Sequence, residues 1–233
     1  MERLIAASSA ACALALLAAG PGTRLGWWDF HLGFSMLRWS AYLGFASAGA
    51  AFLRSGWRSR QMDGPSRALA FAGLAGLLTG AVPWGLLRYA KGAPPIHDLT
   101  TDVKDPPAFK AMLPLRKDAP NPAAYGGPEI AAQQQAAYPD LAPAKLDLAP
   151  DKAFDRAVAA AKARGWELVE AAPKAGRLEA TATTFWFGFK DDIVVRVRKD
   201  GKGSRVDVRS VSRVGKGDAG ANAKRIRAFL KTL

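Results

Sequence analysis

The chain has 233 residues, a formal net charge of +13, two histidines and one cysteine. A lone thiol, Cys12, excludes an internal disulfide and a multi-cysteine zinc site, and it lies inside an apolar run. No glycine-rich phosphate loop, GxSxG elbow or HExxH helix is present, so the common motif-borne activities have no foothold.

Residues 1–91 form a membrane region. Three apolar stretches, about residues 4–20, 32–53 and 68–87, approach the length a bilayer core requires, and each is read as a transmembrane helix. The first has no small-x-small cleavage site after it and is expected to remain. Trp27, Trp28, Trp57 and Trp84 stand near the segment ends, where interfacial aromatics gather. Arg54, Arg58, Arg60 and Arg67 crowd the loop between the second and third segments. The positive-inside bias assigns that loop to the cytoplasm and the C-terminal part to the other side.

Residues 92–143 read as a proline-rich arm, since eleven of the fifteen prolines fall between 94 and 150. That density opposes long helices and central strands and leaves room for one short helix, Pro128–Ala137. Scattered apolar residues such as Phe109, Met112 and Leu141 predict that the arm wraps over a domain.

Residues 144–233 read as an α+β domain. Lys145–Leu148 alternates as a first strand, and Pro150–Arg164 carries Phe154, Ala157, Val158 and Ala161 on one helical face. A strand from Trp166 and a turn at Pro173–Gly176 lead into Arg177–Val214, the one long region with a hydrophobic period of two. Three strands follow there, with Leu178, Ala180, Ile193, Val195, Val206 and Val208 facing one side and threonines and arginines the other. If Gly201-Lys202 form a two-residue loop, Arg196 falls opposite Asp207 and Arg198 opposite Arg205. Asp218 then caps a last helix whose Ile226, Phe229 and Leu230 are buried. The expected architecture is N-terminal transmembrane helices followed by an antiparallel sheet with two helices packed on one face, a helix-grip-like α+β fold.

Four runs, 94–109, 121–143, 178–197 and 204–230, together resemble the domain-of-unknown-function family 1499 over residues 94–233. The resemblance implies membrane helices in front of the domain and an envelope location, and it carries no established activity or catalytic residues. The order of elements is also similar to the helix-grip domains of outer-membrane assembly lipoproteins, a likeness of fold alone.

Candidate chemistry is sparse. Asp191 and Asp192, after a run of aromatics, are alternative acid/base residues together with His97, although neighbours on a strand point to opposite faces. His97, Asp98, Asp102 and Asp105 offer oxygens and an imidazole, yet Asp is also a turn residue; no metal or cofactor is expected. Residues 92–176 hold ten basic and eleven acidic side chains, while 177–233 hold fourteen and six. The binding surface expected from this is the sheet face of Thr181, Thr183, Arg196, Arg198, Arg205, Arg209 and Arg213. Besides the lipid bilayer, its partner is expected to be an envelope protein or an anionic envelope polymer; export excludes nucleic acid. The preferred reading is a non-catalytic protein of the bacterial inner membrane with its domain on the periplasmic side. An enzyme on an anionic envelope substrate and a lipid or small apolar ligand carrier stay open.

Overall fold

The computed structural model describes residues 1–233, which divide into two units. The first comprises Met1–Tyr89 together with Phe185–Gly188. Its helices are α1 (Glu2–Arg24), α2 (Phe30–Arg60) and α3 (Arg67–Lys91). By length and composition α1 and α3 are apolar enough to cross a membrane; α2, the longest at 31 residues, contains Arg38, Arg54, Arg58 and Arg60. Small residues make the contacts. Gly44 and Ala48 of α2 meet Gly76 and Gly80 of α3, where a Cβ on Gly76 would fall 2.5 Å from the Gly44 carbonyl oxygen. This is the close backbone approach that a G-x-x-x-G spacing permits. Ser9 Oγ donates to the Ala72 carbonyl at 3.1 Å, and Glu2 accepts from Arg58 (2.9 Å) and Ser66 (2.7 Å).

The second unit, Ala90–Thr184 with Phe189–Leu233, is an α+β domain that includes the proline-rich arm. Its strands are β1 (Asp98–Thr100), β2 (Ala144–Leu146), β3 (Glu167–Ala172), β4 (Arg177–Thr183), β5 (Lys190–Asp200) and β6 (Gly203–Ser212). Its helices are α4 (Gly127–Ala137), α5 (Pro150–Ala163) and α6 (Ala221–Leu230). The sheet is antiparallel in the order β1-β6-β5-β4-β3, and β2 pairs with the other end of β6, beside β1. β1 was not expected from composition. It occupies a short gap between Pro95 and Pro106, as an edge strand free of proline.

The period of two sets the core. Leu178, Ala180, Ile193, Val195, Val197, Val206 and Val208 meet Phe154, Ala157 and Ala161 of α5 and Ile226 and Phe229 of α6, and all are buried. Trp166 stacks on Phe229 with centroids 5.0 Å apart, filling the space between helices and sheet. The β5–β6 hairpin has the expected register, Arg196 opposite Asp207 and Arg198 opposite Arg205. Gly176 turns β3 into β4 at φ +58°, and a Cβ there would fall 2.2 Å from the Val197 carbonyl oxygen, so only glycine fits. On α4, Gln134 acts as a substitute strand: its amide accepts from the Thr100 N–H (2.9 Å) and donates to the Thr100 carbonyl (2.6 Å). The free edge of β1 is thereby closed.

Candidate functional site: an ionic layer under the arm

The sheet face opposite the long helices is where the charges converge, and residues 98–126 lie across it. Arg209, 2% exposed, forms a bidentate pair with Asp98 of β1 (2.9 and 2.7 Å). The Pro107 and Ala123 carbonyls accept its other protons, and Phe109 and Tyr125 rings lie 5.3 and 5.4 Å from its guanidinium carbon. Such planar pairing and stacking favours arginine over lysine. Asp192 is a second centre. It accepts from Arg116 of the arm (2.6 Å), from Arg213 (2.8 and 2.9 Å) and from Thr181 Oγ1 (2.7 Å). A third cluster sets Arg196, Arg198 and Arg205 against Asp207 and the arm carboxylates Asp102 and Asp105.

Glu179 anchors the arm differently. Its carboxylate, fully buried, accepts the consecutive backbone N–H groups of Lys110 (2.8 Å), Ala111 (3.2 Å) and Met112 (2.7 Å), and Arg177 adds a charge-assisted bond at 2.8 Å. Around these polar contacts Phe109, Met112, Val194 and Val211 form a second, small apolar core. Counting the ion pairs, Arg116, Arg177, Arg196, Arg198, Arg205, Arg209 and Arg213 face Asp98, Asp102, Asp105, Asp192, Asp207, Glu170 and Glu179, seven charges against seven. The layer is neutral. Burial of that many ions is tolerable only with such pairing.

Burial and the nearby Asp98 carboxylate push the Tyr125 phenol up to about 12, against the smaller opposing influence of Arg209. A raised folded-state value means that the native protein holds this proton more tightly than the unfolded chain. Stability therefore falls as pH rises from about 10 towards about 12. Absorbance titration of tyrosinate should show one late-titrating phenol, and Tyr125→Phe should remove it along with that part of the alkaline stability loss.

The sequence-predicted residues divide accordingly. Thr181, Thr183, Arg196, Arg198, Arg205, Arg209 and Arg213 do share one side of the sheet, but the open face expected of them is corrected. Thr181 and Arg209 are buried, Arg196, Arg205 and Arg213 half-buried, and Thr183 and Arg198 exposed. The physical reason is charge matching, since the arm brings its own aspartates to the arginine stripe. Asp191 and Asp192 point to opposite faces, Asp191 to Arg225 at 2.5 Å and Asp192 into the layer. His97 Nδ1 lies 3.4 Å from the Lys216 carbonyl oxygen, apart from both. Asp98, Asp102 and Asp105 each meet guanidinium groups rather than converging with His97. Sequence reading missed Arg116, Glu179 and Gln134 as fastening residues, and also Asn222, which bridges Ser210, Ser212 and the His97 carbonyl. Asp218 accepts from the Gly220 and Asn222 N–H groups at the start of α6; burial raises its carboxyl above the ordinary range.

Fold and layer together define a class: an α+β domain preceded by apolar helices, with an extended arm locked onto its sheet by buried ion pairs. The particular family is shown by residues 98–233, more than half of the chain, which match the family described as protein of unknown function (DUF1499), and the chain belongs to it. No curated protein matches the chain.

Proposed function

We propose that this is a non-catalytic, membrane-anchored envelope protein whose exported α+β domain binds an anionic envelope partner at the turn end of the β5–β6 hairpin. The observation that carries the reading is the neutral seven-by-seven layer. Its arginines and carboxylates hold each other and the arm, so neither a nucleophile–base pair nor a broad cationic face is left for chemistry. Asp191 and Asp192 are separated by the sheet, which disfavours their joint use as acid and base. The continuous apolar cluster joining both helices to the sheet disfavours a carrier.

Membrane anchoring is supported by an inside-out distribution of side chains. In α2 the buried residues are Gly33, Ser40, Ala41, Gly44, Ser47, Ala48 and Ala51, while Phe45, Phe52 and Leu53 are exposed. α3 repeats the pattern, with Ala72, Gly76, Thr79 and Gly80 inside and Phe71, Leu74, Leu77 and Leu78 outside. Helices of a water-soluble core bury the large residues; helices in lipid pack through the small ones. On this reading all three helices span the membrane. The connection between α2 and α3, flanked by Arg54, Arg58, Arg60 and Arg67 on the helix ends, lies in the cytoplasm and the domain on the periplasmic side of the inner membrane.

The exposed cations around the hairpin turn are Lys199, Lys202 and Arg198, the last paired on one side with Asp105. Replacing the three by Gln should abolish crosslinking of the full-length protein to its partner in native membranes. The melting temperature should hardly move, because surface changes usually stay within about 0.5 kcal/mol. Unchanged crosslinking by the folded triple variant would defeat the binding site.

A further inference from the structure

Between β4 and β5 runs Thr184–Phe189, TFWFGF, with four aromatic residues in six positions. Its neck is closed by two hydrogen bonds, the Thr184 N–H to the Phe189 carbonyl and the Phe189 N–H to Thr184 Oγ1, both 2.8 Å. At the tip, Phe185 is 91% exposed. Leaving a phenylalanine in water forgoes roughly 1.5–3 kcal/mol of burial, so a closed aromatic finger of this kind marks a surface that meets something apolar.

Two observations identify what it meets. The first is topological and lies within the sheet. Asp98 pairs with Val211, the Ser212 N–H donates to the His97 carbonyl, Asp191 pairs with Ser212, and the Arg213 N–H donates to the Lys190 carbonyl. The segment arriving from α3 and the aromatic finger therefore leave the sheet at the same end. Only six residues, 92–97, separate Lys91, the last of α3, from Asp98, a reach of about 25 Å at most. The second lies within the helical unit, to which Phe185–Gly188 belongs. There the Phe187 ring is 5.1 Å from Phe34, one turn inside α2, and Trp186 lies against Gly20, one turn before the end of α1. Trp27 and Trp28 stand at the same helix ends. That is the depth at which aromatic side chains collect in a bilayer.

We infer that the Thr184–Phe189 finger is a second membrane attachment: Phe185 inserts into the boundary between headgroups and acyl chains of the bilayer that holds α1–α3. Lys190 and Lys216, exposed beside it, reach lipid phosphates while their stems stay along the interface. The inference rests on the membrane-anchored reading above.

The test uses the full chain with Cys12→Ser, reconstituted in phosphatidylcholine–phosphatidylglycerol vesicles and carrying one nitroxide at Phe185→Cys, Leu77→Cys or Asp200→Cys. Collision with dissolved oxygen and with a water-soluble nickel chelate reports depth. The Phe185 label is expected to favour oxygen over the chelate several-fold relative to the Asp200 label, approaching the lipid-facing Leu77 label. A Phe185 label as accessible to the chelate as Asp200, or shielded from both reagents by a protein partner, overturns the inference while the Leu77 label still reads lipid. If the Leu77 label itself reads water, the membrane anchoring fails and the finger inference falls with it.

Discussion

Asp192→Ala is expected to lower the unfolding free energy of the domain by about 3–5 kcal/mol, the cost of removing one partner from a buried ion pair. The side chain is fully buried, and its loss leaves the Arg116 guanidinium, itself almost fully buried, facing Arg213 with no counter-charge. Small domains hold only about 5–15 kcal/mol in total, so the variant should unfold at a much lower denaturant concentration. Near-ultraviolet circular dichroism of the full chain in detergent, to which the buried Trp166 contributes, would follow the transition. Adding Arg116→Met should recover part of the loss, because a methionine in that place needs no counter-ion. A midpoint for Asp192→Ala equal to that of the parent would mean that the arm does not depend on this centre.

Glu179→Ala is the second large effect. Three backbone N–H groups, those of Lys110, Ala111 and Met112, lose their acceptor at once, and Arg177 loses one of its carboxylates. Each buried donor left unsatisfied costs about 1–3 kcal/mol, so water must enter or the segment must lift from the sheet. Amide hydrogen exchange should then accelerate across residues 105–116 more than in β5 or α5. Glu179→Gln, which keeps one acceptor oxygen, should show a milder form. Equal protection of the arm in Glu179→Ala and the parent would rule out this fastening role.

Much of the fold was legible because it is encoded locally. The alternation of Ile193, Val195 and Val197 and the Asp200-Gly201-Lys202-Gly203 turn determine both the buried face and the pairing of Arg196 with Asp207. The helix Pro150–Ala163 was legible for the same reason, from a single apolar stripe. What covers the other face was not legible. Asp98 meets Arg209 across 111 positions of sequence, and Arg116 meets Asp192 across 76. No periodicity links residues so far apart in a segment broken by proline. One signal was present without a geometry: arm and early domain carry a slight acidic surplus, while the C-terminal residues are strongly basic. Read as two halves of one neutral layer, those counts point to the arm. Read as a free surface, they point to a polyanion. Gln134 had no signal at all, since a buried glutamine that completes a strand edge looks like any other polar helix residue.

The placement of β6 has a consequence for how the protein is made. This strand pairs with β1, β2 and β5 and carries Arg209, yet within the domain only α6 follows it. Asp98 and the arm therefore emerge long before the residues that hold them, and the domain has high contact order, with closure entropy to overcome before any of the layer forms. A nascent chain halted before Gly203 lacks the central strand and the Arg209 counter-ion of Asp98. It is an exposed, sticky segment tethered to finished helices, and a natural substrate for quality-control proteolysis. Competence to fold arrives in one step, once Gly203–Ser212 has emerged.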